Sequence, residues 1–305
     1  MMSIVELPKD VRDRIDWDAV VGHELTTLNR LLPPRWGDLA LRSHERHVVN
    51  WFKAATRRGF TPSPDDTILA RKVSGGARPL TFMSLLDRLS YRAAVSVLAE
   101  DLPSFPRTHD AYEAFQRAPL AVDGCAYVLK SDVSAFYQYI DHERLVTEII
   151  AQTGDDLAIT TAIEVIRGST GRQFGLPQLN LVSDALAEVY IEPIRRHLTR
   201  AGFNVWRFAD DFRVACETYE EALEAWELLD RAARDLGLVL NEAKTRTPGR
   251  ARYEASLTAV ATREAELFSA LGVEPLDPWD TAEYSDEDGA GDITTRELWP
   301  GGGLR

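Results

Sequence analysis

The hydrophobic pattern of the first hundred residues predicts helices on either side of a β-hairpin. Apolar residues have helical spacing over residues 10–60, and turn-forming residues occupy 61–66. Residues 72–80 have the pattern of two short strands joined by glycines, and a helix is expected over 84–100. The side chains expected to anchor these helices in the core are Trp17, Trp36 and Trp51 in the first segment and Leu85, Leu89 and Ala93 in the last.

Between residues 126 and 240 the pattern alternates between strands and helices. Apolar runs predict strands over 126–132, 203–208, 212–216 and 238–240, and helical spacing predicts helices over 142–150 and 180–198. A further helix, ended by Gly237, is expected to bury Tyr219, Ala222, Leu223, Trp226, Leu229 and Ala233. This order is typical of an α+β fold in which helices cover one side of a split βαβ sheet.

Local signals predict where these helices begin and where they break. Asp141 stands where the N-cap of the helix over 142–150 should be, with His142 in its first turn. The sequence from Thr218 to Glu221 is a capping box. Pro193 is expected to kink or end the first part of the helix over 180–198.

The net charge of −13 argues against a nucleic-acid partner, because phosphate binding requires Lys and Arg to displace counterions. The distribution of charge changes this picture. Residues 274–305 hold nine acidic and two basic residues, so the remaining chain has a net charge of only −6. Between Arg35 and Arg92, eleven basic residues stand against five acidic ones. A basic face is therefore available, although such runs are more often a solvated surface.

The cysteines and apolar runs point to a soluble protein. No apolar stretch has the length of a signal sequence or a membrane helix. Cys125 and Cys216 lie apart and lack the spacing of zinc ligands. The sequence therefore predicts a cytoplasmic protein with two reduced thiols and no membrane partner.

Three aspartates stand at the ends of predicted strands. Asp132 closes the strand over 126–132, and Asp210 and Asp211 form the tip of the following hairpin. An Asp pair in a turn usually serves the turn itself, but apolar strands on both sides leave these carboxylates little structural use. One reaction that uses carboxylates in such positions is the joining of a nucleotide to a primer. It needs two ions about 4 Å apart, held by carboxylates on rigid neighbouring elements. Asp132 and Asp210 meet that demand if their strands pair.

Several ordered blocks over residues 72–250 resemble the reverse transcriptases, and among them the bacterial group of group II intron, retron and phage-defence enzymes. The block from Asp132 to Tyr137, DVSAFY, resembles motif A. The blocks GLPQ, ending at Gln178, and SDALA, starting at Ser183, resemble motif B. FADD, which contains Asp210 and Asp211, resembles the YxDD box with Phe208 in place of Tyr. GLVLN followed by Lys244 and Thr245 resembles motif D, and blocks at Arg78 and Asp87 resemble those of the fingers.

The resemblance implies a right-hand polymerase that uses two Mg²⁺ ions, with Mn²⁺ as a possible substitute. Asp132 and Asp210 would bridge the ions, with the Val133 carbonyl as a further ligand and Asp211 as a weaker one. Tyr137 falls at the steric gate, where its ring would exclude a ribose hydroxyl; an ordinary core aromatic is the alternative. The other nucleotide-binding residues that the resemblance implies are Lys72, Arg78, Gln178 and Lys244. Lys244 could also protonate pyrophosphate, and a solvated lysine is the alternative at positions 72 and 244.

The resemblance also divides the chain. It implies N-terminal helices and fingers over 1–120, a palm over 121–249 with 155–185 at its junction to the fingers, and a short thumb remnant with a disordered acidic tail over 250–305. One thumb helix is expected from Arg250 to Leu271. Leu179 stands in motif B where many family members have glycine, which puts template handling in question. A partner subunit, a structured RNA or a different primer grip could replace the missing part of the thumb, and a homo-oligomer is a further possible assembly.

The resemblance implies an RNA-directed DNA polymerase of a prokaryotic antiviral defence system, with an RNA template, a DNA product and deoxynucleotides as partners. Three alternatives remain open. The same site could perform untemplated or protein-primed DNA synthesis, as the altered motif B suggests. The chain could be a catalytically silent scaffold that binds RNA or a partner, or an RNA-dependent RNA polymerase.

Overall fold

The structure, a computed structural model, describes residues 4–26, 35–71, 77–105 and 107–259. Its helices are α1 (Lys9–Arg12), α2 (Trp17–Thr26), α3 (Trp36–Leu41), α4 (Glu45–Arg58), α5 (Leu85–Ser96), α6 (His109–Arg117), α7 (His142–Thr153), α8 (Asp156–Thr170), α9 (Leu181–Arg200), α10 (Tyr219–Asp235) and α11 (250–259). Its strands are β1 (Asp66–Arg71), β2 (Ala77–Phe82), β3 (Tyr127–Asp132), β4 (Asn204–Phe208) and β5 (Asp211–Cys216). The mixture of helices and strands confirms the predicted α+β class.

Side-chain caps fix the starts of five helices. Ser84, Thr108, Asp141, Asp155 and Thr218 each accept a hydrogen bond from a backbone N–H group in the first turn of α5, α6, α7, α8 and α10. Asp141 Oδ1 accepts two, at 3.0 and 2.9 Å, which confirms its predicted role. The capping box at α10 differs in one respect. Glu221 accepts from the N–H group of Glu217, one residue before the N-cap.

The described residues fall into two compact units, and the first takes its residues from 1–105 and 141–190. In this unit α5 packs against α2 and α8, and β1 pairs with β2 in an antiparallel ladder. Two arginines of α5 are buried against Glu24 of α2: Arg88 Nη1 donates at 2.7 Å and Arg92 Nε at 2.6 Å. Burial alone would raise the pKa of Glu24, but Arg92 and Arg88 lower it to about 2. The charged side chains of α5 can therefore lie in the core.

The second unit takes its described residues from 107–140 and 191–259 and is built on a three-stranded antiparallel sheet in the order β3-β5-β4. On the other side of β3, isolated bridges join Lys130 to Arg246 and Tyr127 to Gly249. The backbone N–H groups of Lys130 and Arg246 donate to each other's carbonyls at 2.8 Å. With this fourth segment, the order is that of the predicted split βαβ arrangement. α10 packs against β3 and β5.

Several sequence predictions in the first unit are wrong. Trp36 is 78% exposed and Trp51 is 44% exposed, so of the three expected anchors only Trp17 packs inward, with its ring 5.2 Å from that of Phe52. The predicted helix over 84–100 ends at Ser96 and is buried on every side, because α5 is enclosed by other helices rather than lying on the surface. The first strand of the hairpin begins at Asp66, before the predicted 72–80.

Other corrections concern α9, α10 and the last predicted strand. Of the two outcomes predicted at Pro193, an end of the helix is wrong, because α9 continues to Arg200. The burial of Ile191, Ile194 and Leu198 at about 1.5–3 kcal/mol each outweighs a proline defect of about 3 kcal/mol. The buried face of α10 is rotated toward its alanines, which leaves Tyr219 and Leu223 exposed. Residues 238–240 form only an isolated bridge, between Leu240 and Val133. The helices α6 and α8 were not predicted.

Two predictions reach beyond the described residues. α11 covers the first ten residues of the expected helix from Arg250 to Leu271, and the rest of that helix and the acidic tail lie outside the described residues. In the ranges that are described, no helix combines the length and apolarity needed to cross a membrane.

Candidate functional site

The sheet of the second unit brings the predicted carboxylates together. The antiparallel register of β3 and β5 places Asp132 directly opposite Asp211. Asp210 lies in the two-residue turn between β4 and β5, and its carbonyl accepts a hydrogen bond from the Val133 N–H group at 3.2 Å. The strand pairing expected from the sequence is therefore present, and it gathers three carboxylates at one end of the sheet.

Phe208, the residue that departs from the YxDD box, packs in an aromatic cluster. Its ring lies 5.1 Å from that of Tyr112 and 5.8 Å from that of Phe115, both on α6. Such pairs stabilise by about 0.5–1.5 kcal/mol beyond the area that they bury. The contacts fix the last residue of β4 and so the start of the turn that holds Asp210.

Burial and the crowding of negative charge raise the pKa of two of the carboxylates. Burial, and then the charges of Asp132 and Asp211, raise the pKa of Asp210 to about 7. Burial and the charge of Asp211 also raise the pKa of Asp132, although Lys244 and Asn241 oppose this. Groups of like charge held this close favour a bound cation or a proton.

This crowding predicts that Asp210 destabilises the protein at neutral pH when divalent ions are absent. Its folded-state pKa of about 7 lies above the ordinary 3.8, so the folded form binds more protons between these values. Stability therefore falls as pH rises through that window. We expect Asp210→Asn to be more stable than wild type at pH 8 by roughly 1–4 kcal/mol, with a smaller difference at pH 5. Thermal unfolding in EDTA measures this, and a difference that is constant over pH contradicts it.

Lys244 and Asn241 hold Asp132. Lys244 Nζ lies 3.2 Å from Oδ1 and 3.1 Å from Oδ2 of Asp132, and Asn241 Nδ2 donates to Oδ2 at 3.2 Å. The Asn241 N–H group also donates to the Asp132 carbonyl at 2.7 Å. Burial lowers the pKa of Lys244, but Asp132 and the other two carboxylates outweigh this and leave it raised. Lys244 is thus a charged partner of the site rather than only a solvated lysine.

Asp211 has a separate cationic partner, Arg213, which was not predicted from the sequence. Arg213 Nη1 donates to Asp211 Oδ1 at 3.3 Å, and its Nε donates to the Tyr253 hydroxyl at 3.2 Å. The guanidinium lies 4.9 Å from the ring centre of Phe115 and is 1% exposed. An arginine inside an otherwise apolar strand was the available signal, because a buried charge needs a partner. Asp211 is therefore partly neutralised by the protein itself.

Tyr137 lies in a short 3₁₀ turn after β3 and is 8% exposed. Arg107 Nη2 donates to its hydroxyl at 3.1 Å, and Arg107 is itself 7% exposed. The charge of Arg107 also lowers the pKa of Asp210. The role of Arg107 was not predicted, because no local pattern in the sequence links it to a tyrosine thirty residues later.

The remaining predicted residues belong to the first unit or lie outside the described residues. Arg78 lies on β2, half-buried and opposite Ala70. Gln178 is half-buried in the loop before α9. In the same loop, the Gly175 carbonyl lies 2.8 Å from Nε2 of the fully buried His142. Lys72 lies outside the described residues.

Three of the sequence blocks that resemble polymerase motifs each contain one residue with a strained backbone. In the described part of the chain the non-glycine residues with positive φ are Ala135 at 49°, Leu179 at 55° and Ala209 at 49°. Ala135 precedes Tyr137, and Ala209 precedes Asp210. This conformation is disfavoured by about 1–2 kcal/mol for a residue with a Cβ atom. Leu179 thus adopts a conformation that glycine favours, at the motif B position where many family members have glycine.

The strain at Leu179 predicts that glycine at this position is more stable than alanine, which is the reverse of their usual order. Glycine is normally less stable than alanine by about 0.5–1 kcal/mol inside regular structure, but alanine keeps the Cβ atom that a φ of 55° disfavours. We expect Leu179→Gly to be more stable than Leu179→Ala by roughly 0.5–1 kcal/mol in urea unfolding. The alanine variant is the matched control, because both lose the same leucine contacts. Equal stability, or a more stable alanine variant, contradicts the strain.

The carboxylates match divalent ions in the type of ligand that they offer, but not in their arrangement. Hard oxygen ligands suit Mg²⁺, and a cation among them would relieve the repulsion that raises the pKa of Asp132 and Asp210. Among the residues that the structure describes, no three His, Cys, Asp or Glu side chains converge on one point as a metal-binding group. Asp132 instead pairs with Lys244.

Comparison with known proteins gives two findings. Residues 70–272, about two thirds of the chain, match the family model described as reverse transcriptase (RNA-dependent DNA polymerase). The chain is also similar to an uncharacterized 91 kDa protein in cob intron of Schizosaccharomyces pombe, with 25% identity over 150 residues. That similarity covers 44% of this chain and 19% of the relative, so the chain spans about a fifth of the relative's length.

Proposed function

Because the chain belongs to the reverse transcriptase family, we propose that it is an RNA-directed DNA polymerase that uses two Mg²⁺ ions. The observation that carries the proposal is the strand register that sets Asp132 opposite Asp211, with Asp210 in the adjoining turn. This arrangement supplies negatively charged oxygen ligands from two paired strands, as two-metal chemistry requires.

The residues of the site have distinct roles in this proposal. Asp132 and Asp210 would hold both ions, with the Val133 carbonyl as a further ligand. Asp211 would be a weaker ligand, because Arg213 already donates a hydrogen bond to it. When bound, Mg²⁺, or Mn²⁺ in its place, lowers the pKa of the primer 3′-hydroxyl and holds the triphosphate. Lys244 carries its proton beside the carboxylates, where it can donate that proton to departing pyrophosphate.

Tyr137 selects the sugar in this proposal, and Arg107 positions Tyr137. The buried hydrogen bond between Arg107 and the Tyr137 hydroxyl restricts the direction of the ring. The ring then lies against C2′ of the incoming nucleotide and excludes a ribose hydroxyl. Lys72, Arg78 and Gln178 bind the triphosphate and the template, with RNA as template and DNA as product.

The hydrogen bond predicts that Tyr137→Phe and Arg107→Gln have the same, non-additive effect on sugar selection. Each removes one partner and leaves the aromatic ring in place, so we expect ribonucleotide use relative to deoxynucleotide use to rise about 3- to 10-fold in either variant. The double variant should match the single ones. The ratio of kcat/KM for dATP and ATP measures this, and effects that multiply in the double variant contradict a role through the hydrogen bond.

Primer extension tests the proposed activity directly. With Mg²⁺, four deoxynucleotides and a DNA primer on an RNA template, we expect a product complementary to the template. A DNA template and a reaction in EDTA serve as controls. Failure to extend the primer on either template, with Mg²⁺ or Mn²⁺, contradicts the proposal and favours the silent scaffold.

A second candidate, untemplated or protein-primed DNA synthesis, is favoured by one observation. Leu179 is held at a φ of 55° in the loop that resembles motif B, so a side chain lies where many family members have none. Sequencing of products made with and without template separates the candidates. Products that are made without template, or that remain attached to protein, favour the second.

We also propose that the enzyme acts in a prokaryotic antiviral defence system, with a structured RNA, a second protein subunit or a second copy of the chain as its partner. The support is the resemblance of its motifs to that bacterial group. Phage plating on cells that carry wild type or Asp210→Asn tests the role. Equal plating on both would contradict it.

A further inference from the structure

The outward face of α4 is both basic and exposed to solvent. One side of the helix buries Val48, Val49, Phe52, Ala55 and Thr56. The opposite side exposes Arg46, His47, Asn50, Trp51, Ala54, Arg57 and Arg58. The two sets do not mix around the helix, because residues three, four and seven apart share a face. We call the exposed set the α4 face.

The α4 face is strongly basic in an acidic protein. α4 contains four basic residues and one acidic residue, a net charge of +3, whereas the chain has a net charge of −13. The acidic residue, Glu45, is half-buried and lies off this face. No ion pair to Arg46, Arg57 or Arg58 forms within the described residues. These guanidinium groups are therefore available to an anionic partner.

The face also presents an aromatic ring to solvent. Trp51 is 44% exposed, with His47 one turn before it and Ala54 one turn after it. Apart from Ala54, its exposed neighbours on the face are polar or charged, so the face lacks the apolar area of a protein-docking surface. An exposed indole between arginines is instead the combination that binds unpaired bases and the phosphates beside them.

We propose that the α4 face binds single-stranded RNA, with Trp51 stacking on a base and Arg46, Arg57 and Arg58 contacting phosphates. From Arg46 to Arg58 the face extends roughly 18 Å along the helix, which is enough for several nucleotides. An unpaired strand is favoured over a duplex because an indole can stack only on a base that is free of its pair. The choice of RNA over DNA rests on the proposed function, in which the template is RNA.

Salt titration of RNA binding separates the two kinds of contact. The probe is a fluorescent 12-nucleotide single-stranded RNA without self-complementarity, measured by anisotropy in EDTA, with no nucleotides present. Because stacking involves no counterions, Trp51→Ala should weaken binding about 5- to 100-fold with the salt slope unchanged. Arg57→Gln with Arg58→Gln should make the slope of log K against log salt shallower by about 1.4.

Matched controls come from α10, which contains six acidic and two basic residues. Tyr219→Ala removes an aromatic side chain that is 45% exposed, and Arg234→Gln removes an exposed arginine. Both should leave affinity and slope within twofold of wild type. The replaced side chains of the α4 face are exposed, so circular dichroism and thermal unfolding are expected to match wild type.

Three outcomes would overturn the proposal. The first is equal RNA affinity in wild type and the α4 variants, and the second is a loss of RNA affinity in the α10 controls as large as that in the α4 variants. The third is single-stranded DNA or duplex RNA that binds as tightly as single-stranded RNA, with the same sensitivity to Trp51→Ala. Asp210→Asn tests the two proposals separately, because it should lose primer extension and keep the RNA affinity of wild type. RNA binding that persists without any primer extension in wild type would contradict the polymerase and leave the α4 face intact. Primer extension by wild type, together with unchanged RNA affinity in the α4 variants, would support the polymerase and contradict RNA binding by the α4 face.

Discussion

Replacing Asp210 by asparagine is expected to lower primer extension at least about 1,000-fold. The substitution keeps the size of the side chain but removes one of the charges that would hold both ions, and metal ions contribute several kcal/mol to stabilising the transition state. The measurement is single-turnover incorporation of one deoxynucleotide on an RNA template with Mg²⁺. The expected loss lies in the rate of chemistry, with RNA binding unchanged.

Asp141→Asn is the matched control for this change. Asp141 lies next to motif A in sequence, but it caps α7 through its Oδ1 atom, and asparagine caps a helix about as well as aspartate. Its activity should stay within about twofold of wild type. Wild-type activity in Asp210→Asn would remove the carboxylate site from the mechanism, and an equal loss in both variants would point to misfolding.

Shortening Tyr137 to alanine is expected to change sugar selection about 10- to 100-fold. The ring is nearly buried and its hydroxyl is held by Arg107, so its removal opens space where a ribose 2′-hydroxyl would lie. Rejection of an added hydroxyl by such a wall reaches about 100-fold. The measurement is kcat/KM for ATP and dATP on the same primer and template. We expect the ratio to shift toward ATP with little change in incorporation of dATP.

Tyr139→Ala provides the comparison for Tyr137→Ala. Tyr139 follows two residues later and is 52% exposed, so its loss should not alter sugar selection. If Tyr137→Ala leaves the ratio unchanged, Tyr137 is a core aromatic and not a gate. If ribonucleotides are already preferred by wild type, the enzyme is an RNA polymerase and the proposed product is wrong.

The carboxylate site was predictable because its signals are local. Apolar runs identified β3, β4 and β5 within a residue or two, and the two-residue turn between β4 and β5 requires Asp210 and Asp211 to lie at one end of the hairpin. Asp141 was assigned to capping from its position alone. Two of the unpredicted contacts are pairings over long separations. Lys244 reaches Asp132 across 112 residues and Arg107 reaches Tyr137 across 30, and no periodicity encodes such contacts.

The errors in the fold have a common cause in tertiary packing. Pro193 is compatible with a continuous helix because the apolar side chains around it are buried. α5 is buried on every side, charged residues included, because Glu24 pairs with Arg88 and Arg92. The exposure of Trp36 and Trp51 reverses the usual expectation for tryptophan. In each case the environment, and not the intrinsic preference of the residue, decided the outcome.

The positive φ values of Ala135, Leu179 and Ala209 have a consequence for directed evolution of this chain. A library selected only for heat resistance should accumulate glycine at positions 135 and 209, because glycine relieves the local strain there and removes only a methyl group. A library selected for faithful copying should retain alanine at 135 and 209, because a more mobile backbone would loosen Tyr137 and Asp210. The two selections would therefore diverge first at these positions.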